Sequence, residues 1–142
     1  MQRVQFQAFG HPNIVGEHST TLEITSEENL TKRGTCIIGV NAALTLSDLD
    51  DSLKKLASMK STKVVLRMKV NDLLEEVTGW GSPGLTYANT TSMVARTSKF
   101  ECDRTLMVGA DKAASDLDRS FVEHLKSPDA LLYCELVFLT EP

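Results

Sequence analysis

The chain has 142 residues, 42% of them hydrophobic and 24% charged, with a formal net charge of −4 and a sequence pI near 5.3. That length fits one domain around a single core, and no apolar run approaches the roughly 18 residues that span a bilayer. The acidic balance speaks against a coat for DNA or RNA, which would need a basic surface, although a local basic patch is compatible with it.

The N-terminal MQRVQFQAFG alternates instead of forming a continuous apolar segment. It does not read as a secretion signal, and the expectation is a cytoplasmic protein without a membrane partner. Arg3 to Phe9 places Val4, Phe6 and Ala8 on one parity and Gln5 and Gln7 on the other, the period of a half-buried strand. Gly10-His11-Pro12-Asn13 is turn chemistry. Thr20 to Thr25 is β-branched and alternating, a second strand, and Glu27 to Asn29 is a polar loop. Thr35 to Val40 (TCIIGV) is near-continuously apolar and suits a strand buried on both faces.

Ser47 opens the first predicted helix, with Asp50 three residues on as a relative of the capping box and Leu49, Leu53, Leu56 and Ala57 at helical spacing. Lys63 to Val70 alternates cleanly, and Asp72 to Trp80 pairs back to it through Asn71-Asp72. Met93 to Lys99 and Leu106 to Val108 are further strands. Asp111 to Lys126 is the strongest predicted helix, with Ala114, Leu117, Phe121 and Leu125 in one stripe, Asp111 as its cap and Pro128 as its stop. In that helix His124 sits in the last turn, where positive charge suits the dipole. Ala130 to Leu139 closes the series as a long apolar strand. Residues 1–142 therefore read as one α+β domain, a mostly antiparallel or barrel-like sheet of about eight strands with two helices. No internal repeat, low-complexity segment or linker stands out.

Gly79 to Gly84 reads GWGSPG, a literal match to the dinucleotide pattern G-x-G-x-x-G. The pattern works only when a helix follows directly, because the pyrophosphate rests on that helix N-terminus. Leu85 to Thr91 has no helical stripe, so the stretch reads as a loop between strands, and NAD(P) is not an expected cofactor. Cys36, Cys102 and Cys134 are an odd number without a C-x-x-C pair; they read as buried, reduced thiols, with a cysteine nucleophile as the alternative.

Two stretches concentrate chemistry. GHPNIVGEHSTTLEIT (Gly10 to Thr25) holds His11 and His18, seven residues apart, with Glu23 beyond them. Two imidazoles and a carboxylate suit a divalent zinc or iron ion, provided His18 lies ahead of the strand, since otherwise Glu23 faces away from it. RTSKFECDRT (Arg96 to Thr105), if extended, puts Arg96, Ser98, Phe100, Cys102 and Arg104 on one face, and paired guanidiniums with hydroxyls suit a phosphate or carboxylate. Nine extended residues span roughly 30 Å, so both arginines reach one small ligand only if the chain bends near Glu101 to Asp103.

GHPNIVGEHSTTLEIT, LTKRGTCIIGV and RTSKFECDRTLMVGADKAASDL together resemble an archaeal family of small proteins known only as a domain of unknown function, number three-seven-one. The resemblance covers nearly the whole chain and implies an intracellular archaeal protein of a single domain; it transfers no catalytic residue. The family pattern carries an acidic residue between Gly34 and Cys36, where this chain has Thr35.

The functional expectation is a domain that binds or transforms a small anionic, phosphate-bearing molecule. His11, His18 and Thr20 are its acid–base and hydroxyl candidates, Arg96, Ser98, Arg104 and Thr21 its ligand contacts, and His11 and His18 its metal candidates. Two alternatives stand beside it. One is a nucleic-acid module using Arg67, Lys69, Arg96, Lys99 and Phe100 on a sheet face. The other is a homo-oligomeric subunit sealed through the apolar strands 36–40 or 130–139.

Overall fold

Period-two alternation decides the architecture: each long strand buries every second side chain, so two sheets must face each other across those apolar rows. In the computed structural model, which describes residues 1–140, eight strands do so. They are β1 (Gln2–Phe9), β2 (Thr21–Thr25), β3 (Ile37–Gly39), β4 (Thr62–Val70), β5 (Leu73–Trp80), β6 (Ser92–Arg96), β7 (Thr105–Met107) and β8 (Leu131–Thr140). One antiparallel sheet has the order β1-β8-β4-β5, and the other, mixed sheet the order β3-β2-β6-β7. Phe6, Leu66, Leu136 and Phe138 from the first sheet meet Leu22, Ile24, Met93 and Leu106 from the second in one buried core. Two single bridges, Phe9 to Val40 and Trp80 to Val108, stitch the corners. They do not extend into ladders, so the domain is a pair of sheets and not a barrel. The α+β class with eight strands and two helices stands as read from the sequence.

The helices are shorter than their patterns suggest. α1 spans Asp51–Ala57 and α2 spans Arg119–His124, each preceded by one 3-10 turn, Leu46–Asp48 and Ala114–Asp116. Asp50, not Ser47, caps α1: its Oδ1 accepts from the Leu53 N–H at 2.9 Å. Asp118, not Asp111, caps α2, accepting from the Ser120 N–H at 2.8 Å. Asp111 instead accepts from the Thr78 N–H, tying its loop to the edge of β5. Asp116 accepts from the Ala113 N–H and fixes the 3-10 turn, which breaks the single long helix expected there. His124 does close α2, with Nδ1 2.7 Å from the Ser120 carbonyl.

The chain also repeats itself, contrary to its sequence reading. Gly10 and Gly81, 71 positions apart, donate to Ala130 and Thr62; His11 and Ser82 donate to Leu125 and Ala57; Ser26 and Thr97 donate to Thr91 and Thr20. After the short strands the correspondence shifts to 68 positions, as Ser47-Asp48-Leu49-Asp50 matches Ser115-Asp116-Leu117-Asp118. The shift arises because eleven residues join β2 to β3 and only eight join β6 to β7. The two halves are related by a pseudo-twofold axis that passes between Glu23 and Val94 in one sheet and between Arg67 and Glu135 in the other. They interlace, since β1 pairs only with β8 inside the first sheet and β2 pairs with β6 across the axis.

Candidate functional site

The pairing of β2 with β6 brings the two chemistry-bearing stretches together. Thr21 lies opposite Arg96, and Glu23 lies opposite Val94. Because Leu22, Ile24, Met93 and Ala95 fill the core, the alternate residues Thr21, Glu23, Val94 and Arg96 share the outer face. Beyond β2 the Thr97 N–H and hydroxyl both donate to the Thr20 carbonyl at 3.0 Å, which locks the two stretches to each other.

His18 stands ahead of β2, as a shared face with Glu23 requires. Its Nδ1 accepts from the Thr20 and Thr21 N–H groups, both at 3.2 Å, and lies 3.1 Å from the Thr21 hydroxyl. An Nδ1 that accepts two N–H groups leaves the proton of the neutral ring on Nε2, which can then only donate. Asn89, at the matching place in the second half, does the same work through Oδ1, which accepts from the Thr91 and Ser92 N–H groups at 2.9 and 2.8 Å. His11 lies elsewhere, at the end of β1 against Leu125, where its Nδ1 accepts from the Asn13 N–H at 3.0 Å. Among the described residues no three His, Cys, Asp or Glu side chains gather around a metal position. A zinc or iron ion on His11 and His18 would have to draw further ligands from outside the described residues.

The β6 strand ends at Arg96, so extended backbone does not run through to Arg104. The chain turns at Cys102 to Thr105, closed by the Thr105 N–H donating to the Cys102 carbonyl at 3.1 Å, and returns as β7 beside β6. This is the bend that two arginines on one ligand require. Arg104 is carried back until its carbonyl accepts from the Val94 N–H. Ser98 sits at the start of the loop, two residues past Arg96, where its hydroxyl accepts from Phe100 N–H and its carbonyl from Gly109 N–H.

Arg96 is the best-held polar group of this face. Nε donates to the Thr105 hydroxyl at 2.9 Å, Nη2 to Cys102 Sγ at 3.4 Å, and the guanidinium carbon sits 4.8 Å from the Phe100 ring centre. Among the described residues no carboxylate pairs with it. The two thiols nearby differ in kind. Burial raises the Cys102 thiol, but hydrogen bonds from Thr105 and the Arg104 backbone, with the Arg96 guanidinium, outweigh it and leave the thiol below its ordinary range. Cys36 donates to Glu23 Oε1 at 3.4 Å, and burial together with the Glu23 charge pushes it up to about 11. Cys134 is buried in the core and raised further by burial. Only Cys134 fulfils the expectation of a fully buried thiol; Cys36 and Cys102 are half-buried, and all three are unpaired.

A family model described as a domain of unknown function (DUF371) matches residues 6–139. The chain belongs to the DUF371 family. It is 38% identical over 128 residues to an uncharacterized protein of Methanocaldococcus jannaschii, MJ0206, covering 89% of this chain and 93% of that one. The match spans both halves of the duplication, so the relative covers every element that builds the outer face of β2 and β6.

The GWGSPG stretch of this DUF371 chain is a turn at the end of β5, followed by an irregular segment and β6. Its donors are already used: Glu101 accepts from the Ser82 hydroxyl and from the Gly84 N–H at 2.7 Å. A Cβ on Gly84 would fall 2.6 Å from that carboxyl carbon, which is why glycine stands there. Glu101 also forms one wall, with Trp80, Lys60 and Lys99, of a groove of about 520 Å³. The sequence reading named Glu23 as a carboxylate beside the histidines and Cys36 as a buried thiol, but gave no role to Thr105, whose hydroxyl accepts from Arg96 Nε at 2.9 Å and from the Cys102 N–H at 3.2 Å.

The two alternatives meet geometric limits. Arg67 and Lys69 lie on β4, whereas Arg96, Lys99 and Phe100 belong to the other sheet and its loop, so the five do not form one surface. Strand 130–139 is β8, hydrogen-bonded on both sides by β1 and β4, with no free edge for a second subunit, whereas 36–40 contains β3, an edge strand of the other sheet, and meets no such limit. Among the described residues no helix is long and apolar enough to cross a membrane.

Proposed function

We propose that the domain binds a small anionic, phosphate-bearing ligand in the cytoplasm, on the outer face of β2 and β6, with Arg96 as the anchoring group. The observation that carries this reading is a guanidinium held by Thr105, Cys102 and Phe100, with no carboxylate among the described residues to neutralise it. A fixed, unneutralised guanidinium presents planar donors to an oxyanion with little ordering left to do. Thr21, opposite Arg96, supplies a hydroxyl, and Arg104 a second cation across the turn. His18 contributes a donor through Nε2–H and not a base. Thr20 acts through its backbone, and Ser98 and His11 stand outside the contact set.

The test is thermal unfolding with inorganic phosphate or sulfate. A ligand that binds only the folded state raises its melting temperature by mass action. The wild type gains an increment that Arg96→Gln abolishes and Lys99→Gln retains. Because Arg96 also braces Thr105, Arg96→Lys serves as a folded control that keeps charge but loses the fork. The reading fails if anions leave the wild type unchanged, or if Lys99→Gln removes the increment while Arg96→Gln keeps it.

A further inference from the structure

The four-stranded sheet turns a second, independent face to solvent, and its charge runs against that of the whole chain. Arg3, Lys63, Arg67 and Lys69 project from it by strand parity, against Glu76 and Glu135. Four cations facing two carboxylates stand on a chain whose net charge is −4. Across the strands, register aligns Gln5, Glu135, Arg67 and Glu76 in one row and Gln7, Tyr133, Lys69 and Leu74 in the next. The first row is fixed: Gln5 Nε2 donates to Glu135 Oε2 at 3.0 Å, Arg67 Nη1 to Glu135 Oε1 at 3.3 Å, and Arg67 Nε to Glu76 Oε2 at 2.9 Å. The second row is open, with Tyr133 46% and Leu74 74% exposed on either side of Lys69. Between the rows runs an open groove of about 590 Å³ whose floor is the Phe6, Cys134 and Met68 backbone.

We propose that this face binds single-stranded nucleic acid, with a base on Tyr133 and a phosphate on Lys69 in the groove, and the strand continuing along β4 to Lys63. Charge complementarity selects a polyanion, and the exposed apolar groups are too scattered for a protein partner, which needs a contiguous apolar centre. An exposed ring beside a lysine on a flat sheet is the arrangement in which bases stack while the backbone meets cations. A duplex hides its bases and cannot use Tyr133. Arg67 is tied to two carboxylates, so it shapes the groove and adds little net attraction. This surface shares no residue with the Arg96 site.

The experiment is fluorescence anisotropy of a labelled oligouridylate and oligothymidylate of about a dozen nucleotides, titrated with the full chain from low to physiological salt. Lys63 and Lys69 are the cations of this face that no carboxylate pairs among the described residues, and at about 0.7 of slope per phosphate the log–log salt dependence is about 1.4. Lys69→Glu and Tyr133→Ala each weaken binding about fivefold or more, since one stacked base is worth that much. Both side chains are exposed, so unchanged melting temperatures verify the fold, and Arg96→Gln leaves binding intact. No anisotropy change at low salt overturns the proposal. So does equal binding by the Tyr133→Ala variant, or loss of binding in Arg96→Gln alone.

Discussion

The two halves of the chain solve the same backbone problem with different side chains. At the left-handed position after the first turn, the first half has Gly16 (φ 56°) and the second has Tyr87 (φ 52°). Glycine takes that conformation freely, and a Cβ there would meet the Val122 side chain at 3.1 Å. A tyrosine takes it against steric resistance. It persists because the ring is fully buried against Phe138 and its hydroxyl donates to the Leu106 carbonyl at 2.6 Å. The first half thus closes its loop by setting a bare backbone against Val122, while the second fills the equivalent place with a buried ring. Where the halves agree, as at Asp50 and Asp118, the residue serves the fold; where they differ, function has room to act.

The largest expected difference lies in the helices. Phe121 occupies in α2 the place of Leu53 in α1, and both face the core. Phe121→Ala is expected to destabilise by about 3–5 kcal/mol and Leu53→Ala by less, both by chemical denaturation. Equal losses would show that the halves share the core evenly. A reactivity contrast comes next. Cys102, held below the ordinary thiol range, is expected to alkylate with iodoacetamide at neutral pH at least about tenfold faster than Cys36, whose rate climbs only towards pH 11. Faster labelling of Cys36, read by peptide mass spectrometry, would reverse the assignment.

Smaller again is the exchange of caps. Because Asn89 performs the turn role of His18, His18→Asn should leave stability unchanged, while His18→Ala loses acceptors for two N–H groups and about 1 kcal/mol. If His18→Asn nevertheless abolishes the phosphate increment in melting temperature, Nε2 touches the ligand. The smallest effect concerns Thr62, whose buried hydroxyl has no partner among the described residues and whose counterpart is Ala130. Thr62→Ala is expected to be neutral or stabilising by up to about 1 kcal/mol, since an unpaired buried hydroxyl is unfavourable.

Strand positions were legible in the sequence because period two survives wherever one face is buried. The helices were overextended because Ala114 and Leu117 keep helical spacing through a 3-10 turn that Asp116 terminates, and carboxylate-to-backbone bonds leave no mark on periodicity. The duplication was hidden by divergence and by the change of spacing from 71 to 68, which defeats any fixed-period comparison. In the site, residue types were readable but orientation was not. Arg96 stood out from its chemistry, whereas where His11 and Ser98 stand relative to it depended on where loops end, and loop ends are fixed by backbone partners far away in the chain.

The pairing of β1 with β8 has a consequence for how the protein is made. Gln2 meets Phe138, so β1 leaves the ribosome long before its ladder partner β8 is made. Until β8 arrives, β1 has no ladder partner in its sheet, and Val4, Phe6 and Ala8 have no completed core to enter. The nascent chain can close the β2–β6 ladder as soon as both strands have emerged, but the sheet that carries Tyr133 and Lys69 assembles only when synthesis has passed Thr140. A ribosome stalled within β8 would therefore hold a chain whose Tyr133 and Lys69 face does not yet exist.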